Sequence, residues 1–181
     1  MAVLVSMLRG INVGGRNMIS MIALRELYAS LGLKDPQTYV QSGNVIFKSK
    51  EQDQAKLAQL IEHALERKFG FRPAVIIRTP RELQDVIAHN PFSGRPNIDP
   101  SKLLVTFLPV DPGEDARANV RKILIAPEEL YLRGRELYIY YPGGAGRSKL
   151  PIKRIEKELR MSGTARNWNS ALKLLEIAET M

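Results

Sequence analysis

Apolar positions along this chain switch repeatedly between short continuous runs and helical spacing, and each switch marks the boundary of an element. Val3 to Leu8 is an unbroken apolar run that ends in a glycine-rich stretch, LRGINVGGR, as a buried strand followed by a loop would. Ser20 is placed to cap a helix in which Leu24, Leu27, Tyr28 and Leu31 recur at i, i+3, i+4 and i+7, with Gly32 available to close it. TYVQ and NVIFKS then read as two strands, and Ser42-Gly43-Asn44 between them reads as a hairpin turn. A second helix spans about Gln54 to Phe69 with Leu57, Leu60, Ile61, Ala64 and Leu65 inward, Gly70 stops it, and PAVIIRT completes a β-α-β-β-α-β order. Thr79-Pro80-Arg81-Glu82 carries the side chains of a capping box, so a short helix runs to about Ala88.

NPFSGRPNIDP reads as an irregular connection anchored by Phe92 and Ile98, and beyond it the order begins again. LLVTFLP is a strand, and Asp111 to Glu114 starts a helix with Ala116, Val120 and Ile123 inward. ELYLRG and ELYIYY form a second hairpin, and a further helix runs from about Ser148 to Arg160. No closing strand is legible after it. The chain ends instead in a helix from about Asn167 to Ala178, with Trp168, Leu172 and Leu175 on one face. The pattern implies an α+β protein of two ferredoxin-like (split βαβ) halves, a structural duplication with an extra C-terminal helix. Residues 1–89 form the first half, 90–102 the connection, and 103–181 the second half with the terminal helix.

Composition narrows the chemistry. The 181 residues are 44% hydrophobic and 25% charged, and no apolar run approaches the roughly 20 residues that span a bilayer, so a soluble protein without a membrane partner is expected. The opening MAVLVSMLRG lacks a preceding basic region and a cleavage site, which favours a first strand in a cytoplasmic protein over a signal peptide. With no cysteine, thiolate nucleophiles and sulfur-ligated metals are excluded, and His63 and His89, distant in sequence, show no ligand spacing. No metal and no cofactor is expected.

The net charge is +8, and its distribution is uneven. Arg147, Lys149, Lys153, Arg154, Lys157, Arg160 and Arg166 face only Glu156 and Glu158 over that stretch, five of the net eight charges. Such an excess suits a polyanionic partner, nucleic acid or a nucleotide, although a solvated helix face looks the same in sequence.

Three segments are candidates for binding phosphate. Gly10 and Gly15 have the G-x-x-x-x-G spacing of a P-loop, but Arg16 and Asn17 stand where lysine and a hydroxyl belong. What remains is an amide nest at Gly14 and Gly15 supplemented by Arg9, Asn12 and Arg16, with Asn44 on the neighbouring turn, or simply a tight turn that needs positive φ. Tyr141 to Lys149 places glycines, Ser148, Arg147 and Lys149 between a strand and a helix. Cations there are unfavourable to the helix dipole unless an anion sits between them. Arg166-Asn167-Trp168 joins a cation and an amide to the chain's one tryptophan, fit either to stack a base or to anchor the last helix.

LRGINVGG (8–15), QSGNVIF (41–47), NPF (90–92), YPGGAGRSKL (141–150) and TARNWN (164–169), in this order, resemble the bacterial domain-of-unknown-function family 1697. The resemblance implies an α+β fold with ferredoxin-like halves, and it carries no catalytic or binding role for any residue. Three roles stay open at the level of sequence: a module that binds a phosphate-bearing ligand, a metal-independent enzyme on a small anionic substrate, or a structural or protein-interaction role.

Overall fold

The computed structural model describes residues 1–123 and 126–181. The chain divides into two compact units, one comprising Met1–Gln84 with Lys173–Met181, the other Asp85–Leu172. The first unit contains β1 (Ala2–Leu8), α1 (Met21–Ser30), β2 (Lys34–Tyr39), β3 (Asn44–Ser49), α2 (Gln54–Phe69) and β4 (Val75–Arg78), after which α3 (Pro80–Ala88) begins. The second contains β5 (Leu103–Phe107), α4 (Glu114–Arg121), β6 (Glu129–Arg133), β7 (Glu136–Tyr140), α5 (Ile152–Leu159) and β8 (Thr164–Asn167), followed by α6 (Trp168–Thr180). The same order of seven elements occurs twice. Each unit builds one four-stranded antiparallel sheet, β2-β3-β1-β4 and β6-β7-β5-β8, so the first strand of each set is interior and the second is an edge.

Alternation along the strands decides which residues meet the helices. In β1, Leu4 and Leu8 pack on α1 and α2 together with Val45, Phe47, Val75 and Ile77. Ser6 lies between them on the same face. Its hydroxyl donates to the Val45 carbonyl at 3.2 Å and lies 2.8 Å from the Tyr28 hydroxyl, which satisfies a fully buried phenol whose ring meets Phe47 edge-on. In the second unit, Leu137, Ile139 and Tyr141 pack against Ala116, Val120, Ile155 and Leu159 of α4 and α5.

Local signals hold at most helix ends. Ser20 accepts from the Ala23 amide, Gly70 closes α2 at φ 79°, and Thr79 and Glu82 form the reciprocal capping box at 2.7 and 3.2 Å. Phe92 anchors the connection, buried between Tyr131 and Tyr140, while Ile98 is half-buried.

Five expectations are corrected. The second sheet does have its closing strand, β8, where none was legible. β2 starts at Lys34, ahead of TYVQ, because the polar segment Lys34–Pro36 pairs with β3 through a register shift. α5 starts at Ile152 rather than Ser148, because residues Ala145–Arg147 form a 3-10 turn and Pro151 precedes the first helical turn. Leu60, expected inward, is exposed. The packed face of α6 is Trp168, Ala171, Leu174 and Ala178, and Leu172 is exposed.

Candidate anion-binding face

In the first unit, the loop after β1 uses its polar groups on itself. Val13 and Arg16 flank a two-residue turn closed by the Arg16 amide donating to the Val13 carbonyl at 3.0 Å. Gly14 and Gly15 both hold positive φ, 57° and 72°, as a type I′ turn requires. Asn12 clasps the loop to the neighbouring hairpin: its side-chain amide donates to the Ile19 and Gln41 carbonyls at 2.9 and 2.8 Å, and its Oδ1 accepts from the Ile19 amide at 2.8 Å. Asn44 is fully buried and donates to the Tyr39 carbonyl and the Ser42 hydroxyl. Arg9 is half-buried, with its amide on the Ala74 carbonyl. Arg16 is exposed and makes no ion pair among the described residues.

The loop of the second unit differs. Tyr141 is tied to the Lys102 carbonyl through its amide, Gly144 takes φ 86°, and Ser148 accepts from the Leu150 amide at 3.0 Å. Arg147 and Lys149 precede the first turn of α5, so the helix-dipole argument for an anion between them does not apply as the sequence suggested. A different feature takes its place. Arg147, Lys149, Lys153, Arg154, Lys157 and Arg160 are all exposed, and none makes an ion pair or side-chain hydrogen bond among the described residues. Ile155 and Leu159 are buried, which turns Lys153 and Lys157, at i and i+4, away from the core as one ridge.

Arg166 and Trp168, by contrast, point inward. Arg166 is 6% exposed and donates to the Thr164 hydroxyl at 2.7 Å and the Ala165 carbonyl at 2.8 Å. Burial pushes its guanidinium down to about 10, which still leaves it charged at neutral pH. Trp168 is 7% exposed with its ring 6.4 Å from that of Tyr138. Asn167, the last residue of β8, immediately precedes α6, accepting from the Asn169 amide and donating to the Ser101 carbonyl at 2.8 Å. Arg166 has a counterpart. Arg78 ends β4 buried opposite Val5 of the first central strand, as Arg166 lies opposite Val105 of the second. The sequence holds this repeat in plain view, but an arginine in a four-residue strand does not read as buried until the partner strands are known.

Burial also sets three phenols apart. It pushes Tyr28 and Tyr138 well above the ordinary range and Tyr141 up to about 12. A phenol whose folded pKa is raised supports the fold below its unfolded value and loses that support as pH climbs through the folded value. Stability should therefore decline between about pH 10 and pH 12. Phenolate absorbance and circular dichroism recorded together should show these three rings ionising only as the sheets are lost. Complete ionisation of all six tyrosines with the sheet signal intact would contradict their burial.

One concavity escaped sequence reasoning. A cavity of about 810 Å³ in the second unit is lined by every residue of β6, with His89, Pro91, Val120, Arg121, Glu128 and Tyr138 around it. Its residues come from four separate segments, so no local motif announces it. The polar groups there are partly committed: Glu129 takes a two-point contact from Arg95 at 2.8 and 2.9 Å, which holds its carboxyl below the usual range. Among the described residues, no group of His, Cys, Asp or Glu could hold a metal ion. No helix among them is long and apolar enough to cross a membrane.

Compared with known proteins, residues 1–138 match the sequence model described as "Protein of unknown function (DUF1697)". The chain belongs to the DUF1697 family. The exposed cations of 147–160 lie beyond the matched stretch. No curated protein matches this DUF1697 chain. Among solved structures, it is similar to the conserved bacterial protein SP0830 from Streptococcus pneumoniae, with a TM-score of 0.71 and 22% identity over 97% of this chain and 98% of that one. At that identity the likeness concerns the fold.

Proposed function

We propose that this protein is a cytosolic binding module for a phosphate-bearing ligand, nucleic acid or a nucleotide, built on two ferredoxin-like halves. The observation that carries the reading is the set of six exposed cations from Arg147 to Arg160, none of which makes an ion pair among the described residues, against two glutamates, Glu156 and Glu158, in the same stretch. Glu114, Asp115 and Glu158 lie beside Lys157 and Arg160, so the excess of positive charge is greatest toward Arg147 and Lys149, and such a patch gains free energy by exchanging condensed counterions for phosphates. Arg147, Ser148 and Lys149 sit on the loop, whose Arg147 and Ser148 amides are spent on the Gly144 and Ala145 carbonyls, so the side chains carry the charge there, and Lys153 and Lys157 extend the track along α5. In the first unit, Arg16 at its glycine turn offers a separate exposed cation. Arg166 and Trp168 act behind the surface, holding β8 and the start of α6, rather than stacking a base.

The test is binding of single- and double-stranded RNA and DNA at two salt concentrations, with thermal-shift screening against nucleotides. A polymer binder shows affinity falling steeply with salt, with log K against log salt sloping by about −0.7 to −0.9 per phosphate contacted. A thermal shift with one small anion and no polymer binding would move the reading to a small-molecule site. Silence in both assays would remove it.

A further inference from the structure

We infer that this protein forms a symmetric dimer through antiparallel pairing of β6 with β6 of a second copy. Four strands edge the two sheets, and three of them are guarded or short. β2 carries Lys34, Pro36 and a register shift, and β4 and β8 have four residues each. β6 has neither proline nor lysine, pairs with β7 along its whole length without a shift, and displays Tyr131 at 45% exposure.

The register follows from the hairpin. Arg133 and Glu136 flank the two-residue Gly134–Arg135 turn and therefore form a hydrogen-bonded pair. By alternation Glu129 and Tyr131 also direct their backbone groups at β7, and the N–H and C=O of Leu130 and Leu132 point outward. Among the described residues, no backbone partner meets them there. A twofold axis through Tyr131 sets Leu130 against Leu132 of the second copy, completing four backbone hydrogen bonds. The sequence of β6, Glu-Leu-Tyr-Leu-Arg, is self-complementary under that axis. Glu129 comes opposite Arg133 of the other copy, leucine opposite leucine, and tyrosine opposite tyrosine. Arg133 makes no ion pair among the described residues of its own chain, and the Glu129 carboxylate can accept from it in addition to Arg95. All five residues of β6 line the 810 Å³ cavity, so the edge lies beside open space that an incoming strand can enter.

The chain has no cysteine, so a single introduced thiol reports its own neighbours. Across the axis Tyr131 forms a non-hydrogen-bonded pair with Cα atoms about 4.5 Å apart, within disulfide reach. Tyr131→Cys should therefore oxidise rapidly to a covalent dimer, whereas Val110→Cys, more exposed at 57% but remote in the chain, should not. Sedimentation velocity over a concentration series should find a wild-type dimer. Tyr131→Lys, which sets two ammonium groups face to face, should raise its dissociation constant about 100-fold or more. Leu130→Pro removes an outward N–H and no internal hydrogen bond, although it also removes Leu130 from the edge of the core, and should weaken the dimer while the sheet signal in circular dichroism persists. A wild type that stays monomeric throughout the series, or cross-linking no faster at position 131 than at 110, would overturn the inference.

Discussion

Replacing Gly163 with alanine should destabilise the protein by about 3 kcal/mol, lowering its melting temperature by about 6–12 °C. Gly163 is buried immediately before β8, and its φ lies outside the left-handed region, so backbone conformation is not the reason for glycine. Space is. An added Cβ would lie 2.6 Å from the Phe107 carbonyl oxygen and 2.6 Å from the Thr106 methyl, both on the central strand β5. A backbone oxygen cannot rotate aside as a side chain would, so relief requires β8 to move away from β5, at the expense of the pairing from Phe107↔Thr164 onward. Gly146→Ala is the control. Nothing lies within 4 Å of its added Cβ and its φ is not left-handed, so its stability should stay within about 0.5 kcal/mol of wild type. Urea or thermal unfolding followed by circular dichroism measures both, and equal stability of the two variants would mean that β8 does not pack on β5 as described.

Neutralising Arg147, Lys149, Lys153 and Lys157 together to glutamine should lower polyanion affinity about 10³-fold near 0.1 M salt and flatten the salt slope by about 3. Glutamine keeps much of the side-chain length and a good helix propensity, and none of the four makes an ion pair among the described residues, so the fold should tolerate the change. Removal of mutually repelling charges leaves stability level or slightly higher. The decisive comparison is Lys48→Gln with Lys68→Gln, which removes two cations that already have acidic partners, Asp35 and Glu26. That pair should leave the slope almost unchanged. Equal losses from both sets would mean that net charge alone attracts the polymer, and an unaffected quadruple variant would remove α5 and its loop from the binding face.

Much of the architecture could be read from side-chain pattern because the responsible interactions are local. The periodicity of Leu24, Leu27 and Tyr28, the Ser20 cap, the stop at Gly70 and the Thr79–Glu82 box depend on residues within a turn or two of one another. The two hairpins were legible for the same reason. Apart from the start of α5, which Pro151 and the 3-10 turn before it set locally, what failed depended on distant partners. β8 has no apolar alternation, since its inward residues are Thr164 and Arg166, and only β5 beside it makes those four residues a strand. β2 began early because Lys34–Pro36 has an edge to occupy.

The candidate face divides in the same manner. The excess of lysine and arginine between 147 and 166 was visible from composition, but exposure decided which of them matter. Arg166 went inward to satisfy Thr164 and Ala165, whereas Lys153 and Lys157 went outward because Ile155 and Leu159 took the core. The sequence by itself therefore determined the order of elements, the helix caps and the local charge excess, all of which arise from contacts between near neighbours. Tertiary structure alone decided the eighth strand, the burial of Arg78 and Arg166, the cavity beside β6 and the open edge that lines it, because each depends on segments brought together only when both sheets close.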